Sequence, residues 1–367
     1  KKAMTLQTYF SSIEDPREQH KIKHELIDIL VLSIIAIICG ANEYKEIVIF
    51  GKAKASFLKQ FLSLPNGIPS HDTIERVLSI INPKDFHQCF YEFTKSLCKN
   101  SEDLIAIDGK TSRGSYDSYR NKSAIHLVNA WSTANSVVLA QYKVDDKSNE
   151  ITAIPELLKL LQVEGTIISI DAMGCQKSIA NNIIEAKADY IFGLKGNQKT
   201  LEEEAIHLFS HTAISSKDET FDYTGNRIET RICSVLNDLN LLDEKENWPS
   251  LKSIICIESI REIGNKKSSE TRYYASSAIK TAKEFNGYIR SHWQIENNLH
   301  WQLDITFCED ASRKRKGNSA EVFSALSKTA LNILKTNSND KQSLANKRYK
   351  AALDENYLLK IINFSCV

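Results

Sequence analysis

Two aspartates, Asp108 and Asp171, each end a short apolar run, Leu-Ile-Ala-Ile before the first and Ile-Ile-Ser-Ile before the second. Two carboxylates on neighbouring strands, together with a third acid on a later helix, can hold two divalent cations for phosphoryl transfer. Oxygen ligands of this kind favour Mg²⁺ or Mn²⁺ over zinc. Either aspartate alone is more simply explained by a turn or a helix cap. The hypothesis of a site therefore depends on whether the two strands are neighbours.

The segments around these aspartates predict an α/β fold. After the first run come a β-hairpin, a helix, the second run, another helix and a further strand, predicted at Ala124–Ser132, Ser136–Val144, Glu150–Leu161, Thr166–Asp171, Gln176–Ala186 and Asp189–Leu194. The order β-β-β-α-β-α-β is that of a ribonuclease-H-like core. In that fold the fourth strand lies beside the first, so Asp108 and Asp171 are expected at matching strand ends.

A β-rich insertion is predicted at about residues 200–280, with strands at Phe221–Val235, Leu251–Arg261 and Arg272–Ser277. A long helix is predicted to resume near Ala282 and to continue past residue 300. It carries further acids, Glu296 and Asp304 among them. The core would therefore be completed by a helix that can present a third carboxylate.

Residues 1–100 form a predicted all-α N-terminal domain. The stretch Leu26–Cys39 is apolar on nearly all sides and predicts a buried helix, and further helices are predicted over Ser70–Ile81 and Pro83–Leu97. Small helical modules ahead of a catalytic core often bind DNA, which is the role expected here. The catalytic core is assigned to 101–335 and a C-terminal tail to 336–367, with a short helix around Asn356–Ile362.

The composition limits the class of protein but does not identify a binding partner. Lys plus Arg at 47 and Asp plus Glu at 46 give a net charge of +1, so any basic DNA-binding surface must come from local clustering. The eight cysteines contain no CxxC pair, which favours reduced thiols in a cytoplasmic protein over a disulfide scaffold or zinc ribbon. Leu26–Cys39 is too short to span a bilayer, and no signal-peptide pattern precedes it, so no membrane partner is expected.

Several segments resemble one known family, the bacterial insertion-sequence DDE transposases of the H-repeat-associated group. The similar segments are Asp108-Gly-Lys-Thr-Ser-Arg-Gly-Ser, Ile170-Asp171-Ala-Met-Gly-Cys-Gln-Lys, the strand and turn from Tyr190 to Gln198, Gly225-Asn-Arg-Ile-Glu-Thr-Arg231, and above all the stretch from Arg290 through Glu296 to Asp310. The likeness begins near Phe10 and covers nearly the whole chain.

The resemblance implies a DNA transposase whose metal-binding catalytic acids are Asp108, Asp171 and Glu296. It further implies two divalent cations, Mg²⁺ with Mn²⁺ as a substitute, and double-stranded DNA partners in the form of inverted terminal repeats and target DNA. A homodimer on DNA is expected, acting at the bacterial nucleoid. The enzyme would cleave the element end and then join the freed 3′-hydroxyl to target DNA.

Phosphate and base contacts are less well defined by the resemblance. The broader superfamily spaces Tyr, Arg and Lys around the glutamate, whereas Ile289, His292 and Leu303 stand at those positions here. The DNA-binding residues are therefore expected among cations and aromatic side chains near the acids. They are Lys195, Lys199, Arg290, His292, Trp293 and the basic run Arg313, Lys314, Arg315 and Lys316.

Three alternatives stay open at this point. His292, Glu296 and His300 recur every four residues and would share one helix face, which permits a zinc site but leaves Asp108 and Asp171 without a role. A domesticated DNA-binding protein would keep the fold without strand transfer. A host nuclease of the same fold would cut DNA without joining it, and only an assay for joined product separates it from a transposase.

Overall fold

The computed structural model describes residues 5–101, 103–119, 122–145, 148–337 and 340–362. The chain divides into two compact units. The first contains Lys1–Ser101, Gly109–Lys147 and Glu296–Val367, and the second contains Glu102–Asp108 and Ser148–Ile295. The first unit thus combines the N-terminal helices with segments from the middle and the end of the chain. The division into an N-terminal domain, a catalytic core and a tail, with boundaries near residues 100 and 335, stays a prediction.

The described residues contain α-helices and β-strands in an α/β arrangement. The helices are α1 (Thr5–Phe10), α2 (Leu26–Ile38), α3 (Tyr44–Ala53), α4 (Ala55–Leu58), α5 (His71–Ile80), α6 (Pro83–Leu97), α7 (Glu150–Leu160), α8 (Lys177–Glu185), α9 (Lys199–His211), α10 (Ala282–His292), α11 (Trp301–Ile305), α12 (Ser319–Thr336), α13 (Leu344–Leu353) and α14 (Glu355–Ile362). The strands are β1 (Leu104–Ser112), β2 (Ile125–Ser132), β3 (Val137–Lys143), β4 (Ile167–Ile170), β5 (Asp189–Leu194), β6 (Ser216–Thr224), β7 (Arg227–Leu236), β8 (Ser253–Ile263) and β9 (Lys266–Ser276).

The second unit is built on a mixed sheet in which the strands follow the order β1-β4-β5-β9-β8-β7-β6. The strands β1, β4 and β5 are parallel, as expected where helices connect them, and β9 joins β5 in the antiparallel sense. The remaining strands form an antiparallel meander. The β-rich segment therefore extends the same sheet through the β5–β9 pair.

The core of the second unit lies between this sheet and α10. Apolar side chains from β1, β4, β5, β7, β8 and β9, including Ile167 and Ile257, pack against the face of the helix that carries Phe285 and Ile289. A capping box fixes the start of α10. The Thr281 side chain accepts a hydrogen bond from the Glu284 backbone amide, and the Glu284 carboxylate accepts one from the Thr281 backbone amide. The helix α10 also contacts β4, one of the parallel strands.

The first unit is mainly helical. The helix α12 contacts α2, α5, α6 and β3, so it is the central helix of this unit, and the strands β3, β2 and β1 follow one another in that order. Nearly every residue of α2 is buried, as its apolar sequence predicts. Its one carboxylate, Asp28, is buried and accepts the backbone amides of Ser63 and Leu64 at 3.3 and 2.8 Å. A buried charge of this kind is tolerated because both bonds satisfy it.

Some sequence-based element boundaries match the structure and others do not. The predicted strand Asp189–Leu194 and helix Pro83–Leu97 have the bounds of β5 and α6. The single strand predicted over Phe221–Val235 is wrong, because Gly225 adopts a φ of 59° and the chain turns there between β6 and β7. The polar tail was expected to hold only one short helix, and α13 was missed.

The described cysteines are free thiols, whereas Cys366 lies outside the described residues. In the described part of the chain, no helix combines the length and apolar character needed to cross a membrane.

Candidate active site

Asp108 and Asp171 follow a matched pair of residues on two neighbouring parallel strands. Ile107 of β1 is the register partner of Ile170 of β4, and each aspartate is the next residue of its chain. The apolar residues before them are buried, and both aspartates are half-buried. The two carboxylates therefore belong to the carboxyl end of the same parallel pair, where open α/β sheets place their functional groups.

The Asp171 side chain is fixed by the turn that follows β4. Its Oδ1 accepts the backbone amides of Met173 and Gly174 at 3.1 and 3.3 Å, so it caps the short 3₁₀ turn Ala172–Gly174. Burial raises the pKa of this carboxyl, and the negative charge of Glu150 raises it further. The two amides and Lys195 act in the opposite direction. A cation at this carboxylate would relieve the repulsion.

Glu150 is a neighbour that the sequence did not single out. It is the first residue of α7, and only 8% of it is exposed. Ile154, one helical turn later, lies 3.1 Å from the position that a Cβ of Gly174 would occupy, so α7 packs directly on the Asp171 turn. An acidic residue in the first turn of a helix is normally explained by the helix dipole. The sequence alone therefore does not indicate that Glu150 lies near Asp171.

The turn after β5 supports the Asp171 segment from the other side. Asn197 donates a hydrogen bond from Nδ2 to the carbonyl oxygen of Ala172, and Gln198 donates from Nε2 to that of Cys175 at 2.8 Å. The Asn-Gln pair of the sequence motif is therefore structural. The two cations predicted beside it, Lys195 and Lys199, are both exposed, and Lys199 has only a loose contact of 3.6 Å with Glu203. Both remain accessible to a polyanion.

A cavity of about 360 Å³ opens beside Asp171 within the second unit. Its wall includes the ends of β4, β5, β9 and α10, and its charged or aromatic members include Asp171, Lys195, Glu202, Arg272, Tyr274 and Trp293. The wall thus combines an aromatic ring and two cations with the carboxylates of Asp171, Glu202 and Glu270.

Trp293 is held in a defined position at this cavity. The guanidinium carbon of Arg272 lies 4.9 Å from the centroid of its ring. The residue is nevertheless 40% exposed. An exposed indole with a fixed orientation can contact a base without a large entropic cost.

His292 lies inside the unit, and the phosphate contact expected at this residue stays a prediction that its burial does not favour. It is 7% exposed and its Nδ1 is 2.9 Å from the Ser169 Oγ. Burial lowers its pKa to about 4, so the ring is uncharged at neutral pH. Arg290, two residues earlier, is exposed and forms an ion pair with Asp222. The charge available on this part of α10 therefore belongs to Arg290.

The sequence predicts one long helix from Ala282 past residue 300, and this prediction is wrong. The helix ends at His292, and Glu296–His300 forms a π-helical turn that precedes α11. The four-residue spacing of His292, Glu296 and His300 is therefore not that of a single α-helix face, which removes the basis for a zinc site. Helices with a π turn often carry functional residues.

In the first unit, the two candidates for the third acid differ in their surroundings. Glu296 is exposed. Asp304 instead lies 2.6 Å from the Lys110 ammonium, whose side chain is only 9% exposed and which also approaches Asp310 at 3.7 Å. Asp304 is therefore paired with a cation, whereas the role of Glu296 as a cation ligand stays a prediction.

The basic run 313–316 is split between surface and interior. Arg313 and Lys316 are exposed, and Arg315 is half-buried with its Nε donating to the Gly114 carbonyl oxygen at 3.4 Å. Lys314 is 3% exposed, and its ammonium bonds to the Asn42 carbonyl oxygen at 2.8 Å. The DNA contact expected of Lys314 stays a prediction that its placement does not favour, because its ammonium bonds inside the unit.

The donor set at Asp108 and Asp171 fits a divalent cation, since carboxylate oxygens are the ligands that Mg²⁺ and Mn²⁺ prefer. Among the residues that the structure describes, no group of three or more His, Cys, Asp or Glu side chains is arranged to hold a metal ion. Asp108 and Asp171, both in the second unit, stay predicted metal ligands.

Asp108 and Asp171 lie at the carboxyl end of an adjacent parallel pair, and sequence comparison identifies the class of protein as the DDE-type transposases. The family model described as "Transposase DDE domain" matches residues 99–333, and the model described as "DDE_Tnp_1-associated" matches residues 7–94. The chain belongs to the DDE transposase family and is a transposase enzyme of the DDE type.

Among its relatives are proteins of the H-repeat group. YhhI of Escherichia coli K12, which carries the name of an H repeat-associated transposase, is 43% identical over 97% of each chain. YbfL of the same strain is also 43% identical over 97% of each chain. YncI of E. coli O157:H7, also carrying a transposase name, is 44% identical over 98% of this chain and 94% of its own.

A solved structure of the piggyBac transposase synaptic complex with hairpin DNA covers 98% of this chain and 77% of that chain, with a TM-score of 0.48 and 11% identity. A likeness at this level carries no argument about function.

Proposed function

We propose that this transposase cleaves DNA at the ends of a mobile element and joins the freed 3′-hydroxyl to target DNA. The observation that carries the proposal is the register pair Ile107–Ile170, because it sets Asp108 and Asp171 at the same end of two adjacent parallel strands. Asp108, Asp171 and Glu296 are the proposed metal-holding acids. When bound, two divalent cations would supply Lewis-acid stabilisation of the phosphate and lower the pKa of the attacking hydroxyl.

The chain's own residues then have separable roles. Asp171 is oriented by the Met173 and Gly174 amides, so its carboxylate is pre-positioned before DNA arrives. Trp293, exposed and fixed at the cavity, would stack on a base of the element end.

The remaining predicted contacts would bind the DNA backbone. The exposed or half-exposed cations proposed for phosphate are Lys195, Lys199, Arg290, Arg313, Arg315 and Lys316. His292 and Lys314 are left out because they are buried.

A ribonuclease-H-like core is the fold we propose for the catalytic part. Within the second unit, β1, β4 and β5 are adjacent and parallel, with α7 before β4 and α8 between β4 and β5. Within the first unit the order β3-β2-β1 is that of the expected meander. The helices between residues 5 and 97 are the proposed N-terminal DNA-binding module, and the enzyme is proposed to act as a homodimer at the bacterial nucleoid.

Strand cleavage of a labelled duplex ending in the element's terminal repeat tests the proposal. With Mg²⁺ or Mn²⁺ the wild type is expected to cut, and Asp108→Asn, Asp171→Asn and Glu296→Gln are each expected to bind the duplex without cutting it. Glu164→Gln is the matched control, because Glu164 is exposed and lies before β4, at the opposite end of the strand from Asp171.

Each other outcome contradicts part of the proposal. Binding without cleavage by the wild type in either metal would favour a DNA-binding protein without strand transfer. Cleavage without joined product, when target DNA is supplied, would favour a nuclease. Cutting by Glu296→Gln would exclude Glu296 as the third acid.

A further inference from the structure

Arg272 is a cation of the cavity beside Asp171 that the sequence patterns did not indicate. It lies on β9, opposite Ile257 of β8, and its side chain is 43% exposed. Its guanidinium stacks on the Trp293 ring at 4.9 Å, and the cavity wall includes both side chains. A guanidinium that stacks on an aromatic ring keeps its planar donors directed outward, which suits recognition of phosphate.

The other basic candidates near Trp293 do not supply this charge at the cavity. His292 is buried and uncharged at neutral pH, as described above. Of the residues in the cavity wall, the cations are Lys195 and Arg272. A DNA backbone that reaches Asp171 through this cavity would therefore pass close to the guanidinium.

Arg272 also has an intramolecular partner that competes for it. Its Nε donates to the Glu270 carboxylate at 2.8 Å, and the Glu270 side chain is 60% exposed. An exposed ion pair of this kind contributes little to stability, because solvent screens both charges. A phosphate can replace such a carboxylate at small cost, whereas Glu270 repels the same phosphate.

We propose that Arg272, held against Trp293, contacts a DNA phosphate next to Asp171 and that Glu270 opposes this contact. The inference rests on the proposed function. The family pattern predicts a phosphate-binding arginine on the helix before Glu296, where this chain has His292. In this proposal Arg272, on a strand of the β-rich segment, supplies that positive charge.

Two substitutions of opposite sign distinguish this role from a purely structural one. If the Arg272–Glu270 pair only stabilised the sheet, Arg272→Gln and Glu270→Gln would have the same small effect. If Arg272 contacts phosphate, Arg272→Gln weakens DNA binding and Glu270→Gln strengthens it. Arg272→Lys keeps the positive charge and is expected to restore the salt dependence that Arg272→Gln loses.

The measurement is fluorescence anisotropy of the full-length protein with a labelled duplex that ends in the element's terminal repeat, titrated at several KCl concentrations. Loss of one phosphate contact is expected to reduce the slope of log K against log salt by about 0.9. Lys187→Gln and Glu164→Gln form the matched control pair, because these exposed partners lie 3.0 Å apart at the other end of β4 and β5. Neither is expected to change the slope by that amount, and thermal melts check that every variant folds.

The possible results separate the two proposals. If the wild type binds and cuts DNA but Arg272→Gln keeps its affinity and slope, the Arg272 inference is overturned and the proposed function stands. Equal effects of Arg272→Gln and Glu270→Gln in the same direction also overturn it. If the wild type fails to bind the duplex, both proposals fall.

Discussion

Asp108 and Asp171 each stand one residue beyond a matched pair, Ile107 and Ile170, on adjacent parallel strands. Consecutive strand positions advance together along a parallel pair, so the two carboxylates are brought to one end of it without any loop having to close. Parallel pairing thereby brings the two carboxyl groups together at the carboxyl end of these two strands. A family that handles DNA through divalent cations requires such a concentration of charge.

The first prediction concerns the dual role of Asp171. Asp171→Ala removes the acceptor for the Met173 and Gly174 amides, and loss of a cap of this type costs about 1 kcal/mol. Asp171→Asn keeps one side-chain oxygen and is expected to lose less stability, while both variants lose DNA cleavage. Urea unfolding measures the difference. Equal stability of the two variants would show that the cap contributes nothing.

The second prediction tests the packing behind Asp171. A Cβ on Gly174 would lie 2.3 Å from the Ile170 Cγ2, so Gly174→Ala forces a shift of β4 or of the turn and is expected to cost about 1–3 kcal/mol. Gly196→Ala is the control, because a Cβ there meets no atom within 4 Å. Thermal melts and cleavage rates should both separate the two variants. An unaffected Gly174→Ala would contradict the close contact.

The third prediction separates Glu296 from Asp304. Glu296 is exposed, so Glu296→Gln should abolish cleavage with a change in stability within about 0.5 kcal/mol. Asp304→Asn leaves the largely buried Lys110 ammonium without its partner at 2.6 Å and should cost about 1–2 kcal/mol. Urea unfolding and the cleavage assay read both effects. A stable but inactive Asp304→Asn, beside an active Glu296→Gln, would transfer the role of third acid to Asp304.

The fourth prediction concerns the basic run. Lys314→Gln removes the ammonium that bonds to the Asn42 carbonyl oxygen and lies 3.9 Å from the Phe323 ring centroid, and should cost about 1–3 kcal/mol. Lys316 is exposed, so Lys316→Gln should unfold like the wild type and yet lower the salt dependence of DNA binding. Unfolding curves and anisotropy titrations distinguish the two. The reverse pattern would mean that Lys314 reaches DNA.

The fifth prediction is a pH dependence of stability from Glu321. Burial raises the pKa of this carboxyl from 4.5 to about 7, although Lys143 and Lys328 act in the opposite direction. The nearby His87, 3.4 Å away, is neutral because burial lowers its pKa to about 3, so it does not compensate the carboxylate. Since the folded state holds the proton more strongly, the stability contributed by protonation is complete below pH 4.5 and is lost as the pH rises through about 7.

Glu321→Gln should remove this dependence. The full effect of a shift of that size is about 3 kcal/mol, so the wild type is expected to lose stability relative to the variant between about pH 5 and pH 8. Melting temperatures of the two proteins across that range provide the measurement. Parallel curves would show that Glu321 titrates near its ordinary pKa in the folded protein.

The sequence by itself determined the elements whose signals are local. The bounds of α6 follow from Asn82 and Pro83, because the cap and the fixed φ of proline act within one turn. The bounds of β5 follow from an apolar run that ends at a turn. Asp108 and Asp171 follow the apolar runs of β1 and β4 and are visible for the same reason, and a right-handed crossover then predicts that these strands are neighbours.

Only the tertiary structure decided which charges are available. Lys314 and His292 look like surface cations in the sequence, but each is buried by segments distant along the chain. Arg272 and Glu150 look unremarkable in a strand and a helix start, yet the fold brings Arg272 onto Trp293 and brings Glu150 close to Asp171. Hydrophobic periodicity and capping act over a few residues, whereas burial and electrostatic environment depend on every segment that packs nearby. The sequence therefore predicts which acids form the site, whereas the surroundings of those acids depend on the tertiary structure.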